Sequence, residues 1–212
     1  MDHPTLDISK IPAEQHFAIP FFEFVSKDFD LDAKTMTMIS KHCELVTYEK
    51  GSRLLDAGSD CRYIHFIISG EGISYFTNHN GKTITWFFHF NKPEGSVKNT
   101  FAVDYKSFLS GEPATISIET LSEVTAIRFS REHVRFLSDN SILFERWIRI
   151  INERAFIMIY DRVATLLTLS ATERYKKFLK DEPYLLNMFN NYYIASYLDV
   201  APQSLSRIRK NI

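Results

Sequence analysis

The closing stretch from Asn191 to Ile212, NYYIASYLDVAPQSLSRIRKNI, constrains the fold more than any other part of the chain. Apolar residues recur along it at helical spacing, and the pattern breaks between Asp199 and Pro202. The break predicts two short helices folded against each other, the first from about Tyr193 to Leu198. Pro202 suits the first position of the second helix, because its fixed φ is helical and a first-turn N–H needs no partner. Ala195 is small enough to let the two helices cross closely.

The second of these helices is predicted to turn a basic, polar face away from the first. Leu205 and Ile208, three residues apart, would face the helix crossing. Amide, hydroxyl and guanidinium groups on the other side are those that contact base edges and phosphates in a DNA groove. The candidate DNA-binding residues are Gln203, Ser204, Arg207, Arg209 and Lys210. The alternative that this stretch leaves open is an ordinary surface hairpin of helices with a solvated basic face.

Upstream, the sequence pattern changes from helical to strand-like. From Phe21 to Val46, apolar residues at spacings of three and four predict a pair of short helices. From Tyr48 to about Phe129, short runs of β-branched and aromatic residues separated by turn signals predict a small antiparallel sandwich or barrel. The pair Asn80-Gly81 lies between two such runs and predicts a hairpin with a type I′ turn.

Two parts of the chain resemble the Crp/Fnr family of bacterial transcription regulators. The segment QSLSRIRK resembles the start of the family's recognition helix, and the run YIHFIISG with the spaced Gly51 and Gly58 resembles its jelly roll. The resemblance implies an α+β fold with an antiparallel β jelly-roll domain of cyclic-nucleotide-binding type, a long dimerisation helix and a C-terminal winged-helix-like helix-turn-helix domain. Arg207 falls where the family carries a base-reading arginine. Asp199 stands where the family usually has Gly, and Asp tolerates a positive φ there.

The expected effector pocket departs from the family pattern. A jelly roll binds a cyclic phosphate through backbone N–H groups and an arginine, with a carboxylate for the ribose. The corresponding residues 101–120 contain no arginine, and Glu112-Pro113 stands near the family's Arg-Ser. We therefore expect no cyclic nucleotide and no cofactor, and either another small-molecule effector or none. The candidate effector contacts are Asp104, Lys106, Glu112 and Thr115.

A long apolar helix is predicted from Ser141 to about Arg162. Five of its residues recur at alternating intervals of four and three, the spacing of a coiled-coil seam. The resemblance implies that this helix pairs with its twin, and the predicted dimer interface is Phe144, Ile148, Ile151, Ala155 and Met158. The alternative is a core helix that its own chain buries on two sides. Residues from Val163 to Lys180 are predicted to continue as an amphipathic helix.

Charge and cysteine content narrow the function classes. The net charge of the chain is −1, but the segment from Ala164 onward contains seven Lys/Arg and only four Asp/Glu. A basic C-terminal part beside an acidic remainder is typical of a nucleic-acid-binding module. The two cysteines, Cys43 and Cys61, form no Cys-x-x-Cys pair and cannot supply four thiolates to an iron–sulfur cluster. The sequence has no signal peptide and no apolar run of membrane-spanning length, which predicts a cytoplasmic protein with no membrane partner.

A metal-dependent enzyme of cupin type is the most distant hypothesis. It would need two or three His and a carboxylate around one ion, beginning with a His-x-His pair on a strand. His65, His79 and His89 lie in the β region without such a pair. We therefore assign no catalytic and no metal-binding residue.

The sequence thus predicts three parts. These are a cyclic-nucleotide-binding-like β-barrel sensor domain over residues 1–140, a dimerisation helix over 141–162 and a helix-turn-helix DNA-binding domain over 163–212. The predicted function is transcription regulation by a homodimer on an inverted repeat in double-stranded DNA, and the resemblance implies RNA polymerase as a further partner. The second hypothesis is a small-molecule sensor that acts through a protein partner. The sequence stops at Ile212, before the β wing that usually follows the recognition helix in the family. Either the wing is absent, or residues 184–189 take its role, or it lies beyond Ile212.

Overall fold

The computed structural model of the chain describes residues 11–212. After a 3-10 helix, Ala13–Ala18, the helices are α1 Ile19–Ser26, α2 Ala33–Lys41, α3 Val97–Thr100, α4 Tyr105–Ser110, α5 Arg131–Asn140, α6 Ile142–Thr168, α7 Ala171–Asp181, α8 Leu185–Met188, α9 Asn191–Tyr197 and α10 Pro202–Lys210. The strands are β1 Glu44–Tyr48, β2 Arg53–Leu55, β3 Tyr63–Ser69, β4 Gly72–Thr77, β5 Thr83–His89, β6 Phe101–Ala102, β7 Ser117–Thr120 and β8 Val124–Ser130. Among the described residues, none of the helices combines the length and the apolarity needed to span a bilayer.

The strands form two four-stranded antiparallel sheets, in the orders β1-β8-β3-β6 and β2-β7-β4-β5. Strands that are distant in sequence are therefore neighbours, as in a jelly roll. Strand β8 lies between β1 and β3, with Arg128 opposite both Glu44 and His65. Side chains from both sheets, among them Ile67, Ile118 and Ala126, share one core cluster. The predicted α+β architecture with a β jelly roll is confirmed.

The predicted hairpin is present, but its turn is not of type I′. Strands β4 and β5 are joined by residues 78–82, and the Gly81 N–H donates to the Asn78 carbonyl at 2.9 Å. Within this described loop only Gly81 has a positive φ, 76°, whereas a type I′ turn needs two such residues. The Asn78 side chain accepts from the N–H groups of Asn80 and Lys82 at 3.0 Å each, which favours a longer loop: a type I turn followed by a left-handed glycine.

The N-terminal helices pack between the jelly roll and α6. The Phe21 ring of α1 lies 5.2 Å from the Phe66 ring of β3 and 5.3 Å from Trp147 of α6. Asp32 caps α2 by accepting from the Thr35 N–H at 2.6 Å. The sequence predicts helix as far as Val46, and this is wrong after Lys41, because residues 44–48 pair along β8 instead. Ladder hydrogen bonds to β8 outweigh the local helical spacing.

The predicted boundary between residues 162 and 163 falls inside α6, which runs without a break to Thr168. The predicted continuation to Lys180 is interrupted at Leu169, whose backbone is extended. Ser170 then caps α7 in a reciprocal capping box with Glu173. The long helix therefore reaches into the C-terminal helical unit.

The predicted dimer seam faces the chain's own jelly roll. Phe144 is 3% exposed and Ile151 is 7% exposed, both in the core cluster that holds α1, and Ile148 packs against that cluster. Ala155 and Met158 line a cavity between α6 and the jelly roll. This placement corrects the prediction. Alternating spacing identifies an apolar stripe, but it does not identify the partner that covers the stripe.

The C-terminal helices α7 to α10 pack on the sheet that contains β4 and β5. The Phe88 ring of β5 lies 4.3 Å from the Phe189 ring and 5.1 Å from the Tyr197 ring. Residues 184–189, whose form the sequence leaves open, contain helix α8. Within residues 163–212 the structure has helices and no strand.

Candidate functional site

Helices α9 and α10 form the predicted helix-turn-helix. The Asn190 side chain caps α9 by accepting from the Tyr192 N–H at 3.0 Å, and α10 begins at Pro202 as predicted. Ala195 is fully buried and Leu205 is 1% exposed, both in the same core cluster. Asp199 has a φ of 49° and is the only non-glycine residue of the described chain with a positive φ. The expected turn at Asp199 is therefore present.

One side of α10 is exposed and carries the basic, polar groups expected from the sequence. Gln203, Arg207 and Lys210 are exposed at intervals of four and three residues, so they share one side of the helix. Ser204 is half-buried at the border of this side, and its hydroxyl accepts from the Arg207 guanidinium at 3.3 Å. Helix α10 has no acidic residue. Its outer face therefore presents hydrogen-bonding groups and positive charge to the surroundings.

Arg209 does not share this exposed side. Its guanidinium carbon lies 5.7 Å from the centre of the buried Tyr175 ring of α7. Its Nε and one terminal nitrogen are buried and have no hydrogen-bond partner within residues 11–212. Ser206 is not among the DNA-binding residues predicted from the sequence, but its side chain is exposed on α10. Its hydroxyl donates to the Pro202 carbonyl at 3.2 Å. We call Gln203, Ser204, Ser206, Arg207 and Lys210 the reading face.

Arg174 of α7 holds the turn between α9 and α10. Its guanidinium donates to the carbonyls of Leu198 and Leu169 at 2.9 Å each and to that of Asp199 at 3.4 Å. These carbonyls lie at helix ends or in the turn, where the backbone has no helical partner for them. No local sequence pattern indicates this role, because the three carbonyls meet only after α7 packs on α9.

A buried arginine joins the long helix to the pair α9 and α10, which we call the reader helices. Arg162 of α6 is 7% exposed, and its guanidinium carbon lies 3.8 Å from the centre of the Tyr197 ring of α9. The guanidinium donates to the Tyr197 carbonyl and, at 3.4 Å, to the Thr85 carbonyl of β5. Burial lowers the pKa of Arg162 and raises that of the Tyr197 phenol. Helix α6, strand β5 and helix α9 therefore meet at one desolvated cation.

The edge strand β5 is also bound by the reader helices. The Ser196 hydroxyl of α9 accepts from the Thr85 N–H at 2.9 Å and donates to the Thr83 carbonyl at 3.0 Å. At the start of the strand, the Lys82 ammonium lies 3.2 Å from the Asp199 carboxylate in the turn. The helix-turn-helix thus covers the β5 edge of the sheet, and these contacts hold it in a fixed orientation to the jelly roll.

The predicted effector contacts divide into two groups. Asp104, Lys106 and Thr115 line a cavity of about 310 Å³ between the jelly roll and α6. Glu112 is exposed and pairs with the Lys106 ammonium at 2.6 Å instead of lining the cavity. The Asp104 carboxylate, 3% exposed, is also already bound. It accepts from the N–H groups of Ser107, Thr115 and Ile116 and from the Thr115 hydroxyl, at 3.1, 2.7, 3.3 and 3.1 Å.

Another side of α6 exposes a row of large apolar side chains. Phe156, Tyr160, Val163 and Leu167 are 70%, 67%, 41% and 79% exposed. They recur at intervals of four, three and four residues, which is the spacing of a coiled-coil seam. The sequence predicts the dimer seam on the other apolar side of the same helix. We call these four residues the exposed α6 row.

Jelly roll, long helix and helix-turn-helix follow one another in this order along the described chain, and a cavity lies between the jelly roll and the long helix. Among residues 11–212, no three His, Cys, Asp or Glu side chains lie close enough together to hold a metal ion.

Comparison with known proteins shows the same architecture in solved structures. FixK2 of Bradyrhizobium japonicum matches with a TM-score of 0.66 and 15% identity, over 80% of this chain and 83% of that chain. CLP of Xanthomonas campestris, a c-di-GMP-responsive global regulator, matches with a TM-score of 0.66 and 13% identity, over 85% of this chain and 91% of that chain. A Eubacterium rectale protein described as a transcriptional regulator of the Crp/Fnr family matches with a TM-score of 0.65 and 16% identity, over 86% of this chain and 83% of that chain.

These likenesses establish that the chain has the fold of the Crp/Fnr transcription regulators. No protein-family model and no curated protein sequence matches the chain. The fold expected from the sequence resemblance is thereby confirmed.

Proposed function

We propose that this chain is a sequence-specific DNA-binding transcription regulator of Crp/Fnr type that acts as a homodimer on an inverted repeat. The observation that carries the proposal is the reading face. It lies on the second helix of a helix-turn-helix, it is exposed, and it carries amide, hydroxyl and cationic groups without an acid. In this motif the second helix enters the major groove and its partner crosses the backbone.

The proposed roles within the reading face follow from side-chain chemistry. Arg207 pairs with guanine in the bidentate manner that its planar fork allows, and Gln203 pairs with adenine. Ser204, Ser206 and Lys210 bind phosphates, which position the helix without selecting sequence. Arg209 packs on Tyr175 and is left out of the DNA contacts.

The exposed α6 row supplies the proposed dimer seam. Two copies of α6 related by a two-fold axis would bury Phe156, Tyr160, Val163 and Leu167 against each other, removing from water a row that monomeric proteins rarely expose. Contact with successive major grooves requires the two reading faces to lie on the same side of the dimer and about 34 Å apart, one helical turn of DNA.

The proposal also covers a further protein partner, the cellular location and the question of catalysis. We propose RNA polymerase as a partner, a cytoplasmic location beside the chromosome, and no catalytic activity. A sensor that acts through a protein partner is the alternative, and it predicts no selection among DNA sequences.

Selection of bound duplexes from a random DNA pool at low salt, followed by sequencing, tests the proposal. The expected result is an inverted repeat with half-sites one helical turn apart. In binding assays on the selected duplex, Arg207→Ala should cost about 1–3 kcal/mol and relax the preference at one base pair per half-site. The matched control is Arg149→Ala, which removes an exposed arginine bound to Glu153 on α6, away from the reading face.

Three outcomes would contradict the proposal or revise its parts. No enriched sequence would favour the protein-partner alternative. Equal loss of affinity on all sequences would make Arg207 a phosphate contact. An equal loss in Arg149→Ala would mean that net charge, and not the reading face, controls binding.

A further inference from the structure

The cavity between the jelly roll and α6 has the size and the walls of a small-molecule site. Its volume of about 310 Å³ lies at the lower end of the range of about 300–1,000 Å³ for such sites. Aromatic and aliphatic side chains form most of its wall, including Phe76, Trp86, Phe101, Val103, Ala155 and Met158. The Phe76 and Trp86 rings pack edge to face, with centres 5.2 Å apart.

The charged groups at this cavity already have partners within the chain. The Lys98 ammonium lies 2.5 Å from the Glu182 carboxylate, and the Lys106 ammonium lies 2.6 Å from that of Glu112. The Asp104 carboxylate takes up the N–H groups of Thr115 and Ile116, which would otherwise be free to bind an anion. An anionic ligand would therefore lose its water shell beside a buried carboxylate without gaining a free cation.

One titratable group in the wall is buried and neutral. His89, at the end of β5, is 2% exposed and lines the cavity, and both of its ring nitrogens are buried away from solvent. Burial lowers the pKa of His89 to about 4, so its ring is neutral at physiological pH. The histidine therefore adds no positive charge to the wall that could bind an anion.

We propose that this cavity binds a neutral, mostly apolar molecule of aromatic character, and that it excludes cyclic nucleotides and other organic anions. The ligand class follows from the cavity alone. Only the effect of the ligand on DNA binding rests on the proposed function. Ala155 and Met158 contact the occupant from α6, while Phe156 and Tyr160 on the same turns belong to the exposed α6 row. An occupant therefore acts on the helix that carries the proposed dimer seam.

Two fluorescent probes that differ in a single sulfonate test the ligand class on the full chain. N-phenyl-1-naphthylamine is neutral, has an N–H donor and becomes bright in apolar sites, and 8-anilinonaphthalene-1-sulfonate adds one negative charge to the same rings. The neutral probe should bind one site per chain. The sulfonate should bind at least about tenfold more weakly, and excess cyclic AMP should not displace the neutral probe.

Variants locate the bound probe. Ala155→Phe and Val103→Phe fill the cavity from two different elements, and each should weaken binding of the neutral probe at least about tenfold. Circular dichroism of each variant verifies that it is folded, and either variant alone suffices for the test. Leu167→Ser is the matched control, because it removes apolar surface from the exposed α6 row and leaves the cavity unchanged.

The outcomes separate this proposal from the proposed function. Equal affinity for both probes, displacement by cyclic AMP, or no binding of the neutral probe would overturn it. Binding that survives both filled variants and is lost in Leu167→Ser would assign the probe to the exposed α6 row and would also overturn it. None of these measurements contains DNA, so failed DNA selection and a failed ligand test are independent results.

Discussion

Arg162 of α6 stacks on Tyr197 of α9, with its guanidinium carbon 3.8 Å from the ring centre, and donates a hydrogen bond to the carbonyl of the same tyrosine. The ring and the backbone of the first reader helix are therefore fixed to the long helix by one side chain. The Thr85 carbonyl of β5 accepts from the same guanidinium. A movement of α6 against the jelly roll would have to break this cluster or carry the reader helices with it.

Replacing Arg162 by Ala is expected to loosen the reader unit from the jelly roll. The carbonyls of Tyr197 and Thr85 would lose a buried donor, at a cost of about 1–3 kcal/mol for each group left unpaired, and the Tyr197 ring would lose its cation contact. Hydrogen exchange followed by mass spectrometry measures the effect segment by segment. Amides of α9 and α10 should exchange faster, while those of β3 and β8 should be unchanged.

The matched control is Arg154→Ala on the same helix. Arg154 is about half exposed and pairs with Asp28 of the N-terminal part at 2.5 Å. The Asp28 side chain is 10% exposed and accepts two hydrogen bonds from this guanidinium, so the loss of Arg154 should loosen the contact between α6 and the N-terminal helices. It should leave the exchange of α9 and α10 unchanged. Uniformly faster exchange in Arg162→Ala, including β3, would show that Arg162 supports the whole fold and not the joint alone.

The exposed α6 row predicts where a charge would disrupt the dimer. Tyr160→Glu would place two carboxylates against each other across the proposed seam, where neither finds a cation in the row. We expect a chain that remains folded and elutes as a monomer in size-exclusion chromatography with light scattering. Leu109→Glu is the control, since Leu109 is 57% exposed on α4, far in sequence from the row. A native chain that is already monomeric at high concentration would contradict the seam.

Much of the fold could be predicted from local sequence patterns. Pro202 predicts the start of α10, and the type of turn at Asp199 follows from the tolerance of Asp for a positive φ. Strand runs separated by glycines predict the jelly roll. These features depend on residues close in sequence, so a single sequence contains the information.

The partners of each apolar or charged group could not be predicted in the same way. The side of α6 with Phe144 and the side with Phe156 are both apolar at seam spacing, and only the docking of the jelly roll decides which is buried. Arg209 lies among cationic neighbours in the sequence, but the packing of α7 brings Tyr175 beneath it. The sequence predicts that Asp104 contacts an effector in the cavity. In the structure, the Asp104 carboxylate accepts instead from the backbone N–H groups of residues 115 and 116.

Asp104 is expected to be a structural anion of the jelly roll. Asp104→Ala would leave the N–H groups of Ser107, Thr115 and Ile116 without their acceptor, and burial of such unpaired groups costs about 1–3 kcal/mol each. Urea denaturation should therefore show a loss of several kcal/mol. Glu112→Gln, which weakens the exposed pair with Lys106, should leave stability nearly unchanged, because solvent screens this pair. Similar losses in both variants would mean that the buried hydrogen bonds of Asp104 contribute little.

Two buried histidines should make the fold sensitive to mild acid. The pKa of His65 and that of His89 are both lowered from an ordinary value of 6.5 to about 4. Burial is the main cause for both histidines, and the nearby Arg128 guanidinium contributes for His65. Between pH 6.5 and pH 4 the unfolded chain binds a proton at each histidine that the folded chain does not bind. The free energy of unfolding must therefore fall as the pH falls through this window, by about 1 kcal/mol per pH unit for each histidine.

Urea denaturation at pH 7.5, 6 and 5 measures this slope, and His89→Phe isolates one contributor. The phenyl ring keeps the size of the side chain and cannot bind a proton, so the slope between pH 6 and pH 5 should fall by about half. Carboxylates do not produce the same window, because those with lowered pKa values, such as Asp32 and Glu173, lose their stabilising effect only at lower pH. An unchanged slope in His89→Phe would mean that His89 accepts a proton in the folded chain, and the neutral state assigned to its ring would then be wrong.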